Sequence, residues 1–92
     1  MSGVVINRTA VIRNQRGLHA RAAARFVKVI GKYDAHVSVT RGGQTVSGLS
    51  IMGLMMLAAG PGSELSLAAE GPEAEAALIA IQAEIEAKFE EE

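Results

Sequence analysis

The sequence predicts an α+β fold: a four-stranded antiparallel sheet with three helices packed on one face. Three observations predict it. Apolar and polar residues alternate in four separate stretches, three others carry apolar residues at helical spacing, and short Gly-rich or Gly-Pro breaks divide the two kinds. The elements read β-α-β-β-α-β-α, with no internal repeat. The uncovered face of such a sheet can meet water or a partner, because antiparallel sheets tolerate one solvated side.

Residues 4 to 12 are rich in Val, Ile and Thr, and Ala10 and Ile12 alternate with Val11 and Arg13, which predicts the first strand. Asn14-Gln15-Arg16-Gly17 is a loop. Residues 19 to 31 then set Ala23, Phe26, Val27 and Ile30 along one helical face, with Gly31 ending the helix. Residues 35 to 40 alternate strictly, Arg41-Gly42-Gly43 supplies a turn, and Gln44 to Ser47 returns, so a hairpin is expected with His36, Ser38 and Thr40 facing out. Ser50 is a good cap for a short helix reaching Leu57, apolar around most of its circumference. Gly60-Pro61-Gly62 breaks the chain. Residues 64 to 68 alternate again, with Leu65 and Leu67 inward, and Gly71-Pro72 opens the last helix. Glu73 and Glu75 favour its positive end, and Ala74, Ala77, Leu78, Ile81, Ile85 and Phe89 form its apolar stripe. The terminal glutamates 90 to 92 read as a solvated, fraying helix end.

Composition narrows the function. Ninety-two residues suit one domain, 1–92, and the only aromatics are Phe26, Tyr33 and Phe89, so the core is aliphatic with many alanines and leaves little room for a deep substrate pocket. The absence of cysteine excludes disulfides, thiolate metal sites and a cysteine nucleophile, and fits a reducing compartment. No basic segment followed by an apolar run opens the chain, and no apolar run approaches membrane length, so a cytoplasmic protein without membrane insertion is expected. Residues 1 to 41 hold eight Lys or Arg against Asp34, whereas residues 42 to 92 hold Lys88 against nine Glu. If folding gathers those arginines, the patch would attract a phosphoryl group or an acidic protein surface. Nucleic acid is not expected as a partner, since the chain is not basic overall and lacks stacking aromatics.

The stretch that carries chemistry is Gly17-Leu18-His19-Ala20-Arg21, where an imidazole and a guanidinium stand at the entry to the first helix. The first amides of a helix lack intrahelical acceptors, so those of Ala20 and Arg21 form a ready anion site. A neutral imidazole has a free lone pair on one ring nitrogen and can attack phosphorus, while Arg21 neutralises the phosphoryl oxygens. Phosphoryl transfer is mostly positioning and charge stabilisation, so no cofactor is called for. The chain has no GxxxxGK[ST] loop, and His19 and His36 are its only histidines, so no metal is expected.

Two motifs resemble those of a known family, the histidine-containing phosphocarrier (HPr) proteins of the bacterial phosphoenolpyruvate-dependent phosphotransferase system. Gly17-Leu18-His19-Ala20-Arg21 followed by Ala23-Ala24 is similar to the phosphohistidine motif, and Ser50-Ile51-Met52-Gly53-Leu54-Met55 to the regulatory-serine motif. The resemblance covers nearly the whole chain. It implies an HPr-like open-faced β-sandwich, phosphorylation of His19 at Nδ1 by enzyme I, stabilisation of the phosphate by Arg21, and transfer onward to an enzyme IIA domain. It further implies phosphorylation of Ser50 by HPr kinase/phosphorylase, whose added charge would slow acceptance at His19 if the two helix starts are neighbours. Two positions depart from the family: Ala22 stands where proline is usual, and Leu49 where many relatives have lysine. Alanine keeps an amide donor that proline lacks, at some loss of rigidity.

Ile51, Met52, Leu54 and Met55 are candidates for partner docking, because methionine-rich surfaces adapt to several partners. A carrier that enters several active-site clefts is expected to be a monomer. Two alternatives stay open at this stage: a regulatory or nitrogen-related branch instead of sugar uptake, and a ferredoxin-like small-molecule-sensing domain, which shares the β-α-β-β-α-β order. A metabolic enzyme is disfavoured, because no second titratable group is evident near His19.

Overall fold

A computed structural model describes residues 4–91. The elements follow the expected order: β1 (Ile6–Val11), α1 (Ala20–Ile30), β2 (His36–Arg41), β3 (Gln44–Ser47), α2 (Ile51–Met56), β4 (Glu64–Glu70) and α3 (Ala74–Glu86), with a 3-10 turn at Lys88–Glu90. The strands lie in the order β1-β4-β2-β3, and every pair is antiparallel. β1 is therefore an edge strand, whereas the ferredoxin-like arrangement holds its first strand between two others; that alternative is excluded by topology.

The alternation along the strands decides what lies under the helices. Val37 and Val39 of β2 and Leu65, Leu67 and Ala69 of β4 point to the helical side and meet Phe26 and Ile30 of α1, Leu54 of α2, and Ala77, Leu78, Ile81 and Ile85 of α3. The alanines allow α1 and α3 to approach closely and still leave a filled core. His36, Ser38 and Thr40 face the open side, as their spacing predicts, and Thr40 shares a 2.7 Å hydroxyl contact with Thr45 across the β2–β3 pair. The result is an open-faced α+β sandwich.

Several boundaries differ from expectation. β1 covers 6 to 11 instead of 4 to 12, yet Ile12 is buried beyond its end, donating its amide to Ser63 O at 2.9 Å. β4 runs two residues past 68, because Ala69 and Glu70 find β2 partners in Val37 and His36. The last helix stops at Glu86, and Phe89, expected on its stripe, is buried from the 3-10 turn that follows.

Three of the arginines are met by glutamates from the acidic half of the chain. Arg8 pairs with Glu75 at 3.9 Å, Arg13 with Glu86 at 3.2 Å, and Arg25 with Glu84 and with Glu90 at 3.3 Å, so the basic half of the chain is laid against the acidic half. The exposed pairs of Arg8 and Arg13 distribute charge more than they stabilise the fold.

Candidate functional site

Two loops build the site. The chain leaving β1 turns at Asn14 to Gly17, and the segment before β4 supports it: Gly62 donates to Ile12 O at 2.8 Å, and Leu18 donates to Ala59 O at 2.9 Å. Gly17 has φ +64, and a Cβ built on it would stand 2.2 Å from Ala59 O and 2.9 Å from Gly60 Cα. Only glycine fits a left-handed residue in so close an approach. Leu18, 4% exposed, anchors the far side of the turn in the core.

That anchoring sets His19 at the N-cap of α1, with extended backbone (φ −79, ψ −179) and no side-chain capping bond. The first intrahelical bond runs from Ala23 N to His19 O at 2.8 Å, so the amides of Ala20, Arg21 and Ala22 have no acceptor within the helix. Arg21 is exposed, and its guanidinium makes no hydrogen bond or ion pair among the described residues. An anion arriving beside His19 meets the exposed amides of Ala20 and Arg21 and a guanidinium that has no partner among the described residues. Ala22, the departure from proline, is fully buried in the core, so its amide lies out of reach of an anion at the helix start.

The other face of the ring holds a group that sequence reading missed. Glu91, expected in a solvated helix end, lies beside the site with its side chain 11% exposed: one carboxylate oxygen contacts His19 Nε2, and the other accepts from Asn14 Nδ2 at 2.9 Å. Asn14 is itself fully buried and donates also to Gly17 O at 2.9 Å. A titratable group therefore does stand near His19. It reaches the ring through three successive residues with positive φ, Lys88 (+58), Phe89 (+52) and Glu90 (+59), and no glycine announces that turn. Glu92 lies outside the described residues. Burial pushes the Glu91 carboxyl up, but hydrogen bonds from Asn14 and His19 and the positive charge of Arg16 outweigh it and hold the group below its usual value.

A carboxyl depressed in the folded state adds stability above its unfolded value and loses it as pH falls through the folded one. The urea midpoint of the wild type should accordingly exceed that of Glu91→Gln near neutral pH. The difference should close as the solution is acidified below the ordinary carboxyl value of 4.5. Denaturation curves of the two proteins at several pH values check this.

Ser50 is the N-cap of α2, where its Oγ accepts from Gly53 N at 2.9 Å, and α2 packs against α1. Ser50→Ala should lower stability by about 1 kcal/mol through loss of that cap, measurable by thermal or urea unfolding. On the outer face of α2, Ile51, Met52 and Met55 are exposed, joined by Met56 and Leu49. Leu54 is not: at 0% exposed it is core, so it drops out of the docking candidates. Gly53, rather than a larger residue, brings that helix against β3, since a Cβ there would stand 3.0 Å from Val46 Cβ. His36 is on the open face of the sheet opposite Glu70, apart from His19.

Comparison with known proteins agrees with this geometry. A family model described as the phosphorylation site of the HPr component of the phosphotransferase system matches residues 6–87. The phosphocarrier protein HPr of Treponema pallidum is 43% identical over 88 residues, covering 96% of this chain and 100% of its own. The phosphocarrier protein NPr of Shewanella violacea is 40% identical over 86 residues, 94% of each. Among solved structures, an HPr from Thermoanaerobacter tengcongensis superposes with a TM-score of 0.90 at 40% identity, covering 95% of this chain and 98% of that one.

Proposed function

This chain belongs to the HPr family of phosphotransferase-system phosphocarriers, and from that premise we propose that His19 accepts a phosphoryl group at Nδ1 from phospho-enzyme I and passes it to an enzyme IIA domain. The observation that carries the reading is the helix start: an imidazole beside the exposed amides of Ala20 and Arg21, which lack intrahelical acceptors, and a guanidinium unpaired among the described residues. The lone pair of Nδ1 attacks phosphorus as the bond to the donor breaks. The ring carries the added charge, and the amides of Ala20 and Arg21 with the Arg21 side chain hold the phosphoryl oxygens. Delivery to the next acceptor reverses these steps and restores the ring, so the protein is a stoichiometric carrier and not a catalyst.

Residues 1–92 act as one phosphocarrier domain, monomeric and cytoplasmic. No described helix is long and apolar enough to cross a membrane. Ile51, Met52 and Met55 form the docking face for the donor and acceptor proteins. Ser50 is the site for HPr kinase/phosphorylase, and charge added there, on a helix packed against α1, slows acceptance at His19. The 40% identity to an NPr favours a second reading, service in the nitrogen-related branch. Incubation with enzyme I and labelled phosphoenolpyruvate tests the carrier role. Acid-labile, alkali-stable label that is lost in His19→Ala supports it, and an unlabelled wild-type chain overturns it. Repeating the assay with the enzyme I paralogue of the nitrogen branch separates the two readings by relative rate.

A further inference from the structure

We propose that Glu91 is a positioning residue for phosphoryl transfer: held by Asn14, its carboxylate keeps the proton of His19 on Nε2 and offsets the charge that the ring gains when Nδ1 bonds phosphorus. The inference rests on the reading of His19 as the phosphoryl acceptor. Its own ground is geometric.

The carboxylate bridges Asn14 Nδ2 and His19 Nε2, with its side chain nearly enclosed. A carboxylate accepts only, so the ring nitrogen facing it must carry hydrogen, and in a neutral ring the lone pair then belongs to Nδ1. Two costs accepted elsewhere mark the arrangement as specified. Three consecutive residues without glycine adopt left-handed backbone to deliver Glu91, and Asn14 leaves its Oδ1 buried and unpartnered in order to aim its amide at the carboxylate and at Gly17. Turning the Asn14 amide over would set Oδ1 against two acceptors, the Glu91 carboxylate and Gly17 O, and orphan Nδ2 instead. Strain and orphaned polar atoms of this kind persist where the surrounding structure enforces them, often at functional sites.

The chemistry balances without moving the proton. As Nδ1 donates its lone pair to phosphorus, the bond to the donor breaks and the imidazole becomes an imidazolium still bearing hydrogen on Nε2. Glu91 lies against that N–H and stabilises the positive ring, while Arg21 and the helix amides attend to the phosphoryl oxygens on the far side. When the phosphoryl group leaves, the electron pair of the N–P bond returns to the ring. This is the part a buried carboxylate plays behind a nucleophile's histidine in acyl transfer: it fixes the tautomer, stabilises the cation and never takes the proton. The hydrogen bond from Asn14 is the largest of the influences that favour the ionised carboxylate, and Arg16 adds to it.

The test compares wild type with Glu91→Ala, Glu91→Gln and, as a control for the neighbouring Arg25 pair, Glu90→Gln. Ring nitrogen-15 NMR at a pH where the imidazole is neutral reads the tautomer in the unphosphorylated protein. Acceptance from enzyme I reads the kinetics. The wild type and Glu90→Gln should hold His19 with hydrogen on Nε2, and Glu91→Ala should show the mixture of tautomers found for a free histidine. Glu91→Gln removes the charge and leaves one oxygen for the two donors Asn14 Nδ2 and His19 Nε2, so its kcat for acceptance should fall about tenfold at unchanged KM. An unchanged tautomer in Glu91→Ala, or acceptance within twofold of wild type in both Glu91 variants, overturns the proposal. A wild-type protein that enzyme I never labels would overturn the carrier reading instead, and the NMR comparison would still decide the positioning role.

Discussion

Gly17→Ala should destabilise the protein by about 2–5 kcal/mol, combining about 1–2 kcal/mol for an alanine in left-handed backbone with about 1–3 kcal/mol of overpacking. The obstacle is main chain, Ala59 O and Gly60 Cα, so no rotamer change relieves it. One of the two segments must move, and the Leu18 amide bond to Ala59 O is the link between them. His19 directly follows Leu18, so the variant should lose phosphoryl acceptance even at temperatures where it stays folded. Urea denaturation gives the stability change, and amide shifts at Leu18, His19 and Ala59 show whether the loops have parted.

Phe89→Ala should cost about 3–5 kcal/mol, the range for truncating a buried aromatic side chain. Phe89 is 2% exposed and belongs to the same core as Ile81 and Ile85, although it sits outside the helix that carries them. Its ring is the wedge that holds the left-handed turn of residues 88 to 90 against the body of the protein. Without it the turn can relax to ordinary backbone and withdraw Glu91 from Asn14 and His19. Two observables should therefore change together: a lower unfolding midpoint, and loss of the His19–Glu91 contact in NMR spectra of the still-folded protein. Retention of that contact would show that the carboxylate pairing holds the turn on its own.

Much of the fold was legible because its elements carry plain periodicities. Val37 with Val39 and Leu65 with Leu67 are two residues apart, Phe26 and Ile30 four apart, and these patterns place the residues inward where the structure buries them. Gly17-Leu18-His19-Ala20-Arg21 was legible as a loop entering a helix, since a strand pattern ends before it and a helical stripe begins after it. What was not legible is carried by contacts between distant residues. Glu91 lies 72 residues from His19, and the turn that brings it back is made of lysine, phenylalanine and glutamate in a conformation glycine usually marks. Phe89 continues the four-residue spacing of Ile81 and Ile85, so sequence alone extends the helix through it; only the backbone reveals the break after Glu86. Leu54 was misplaced for the opposite reason. In a helix of six residues, apolar almost all round, no polar face declares which side is inside.

The placement of β1 at the sheet edge, paired only with β4, bears on how the protein comes into being. The strand made first cannot add to the sheet until residues 64–70 have been synthesised, and the carboxylate behind His19 arrives later still. Pairings so far apart along the chain raise contact order and slow folding relative to a helical protein of equal size. A chain still emerging from the ribosome thus has its histidine long before it has the loop brace, the helix packing and the carboxylate that surround it. Competence to carry a phosphoryl group should therefore come late in folding, with full competence only once the last strand and final turn have closed.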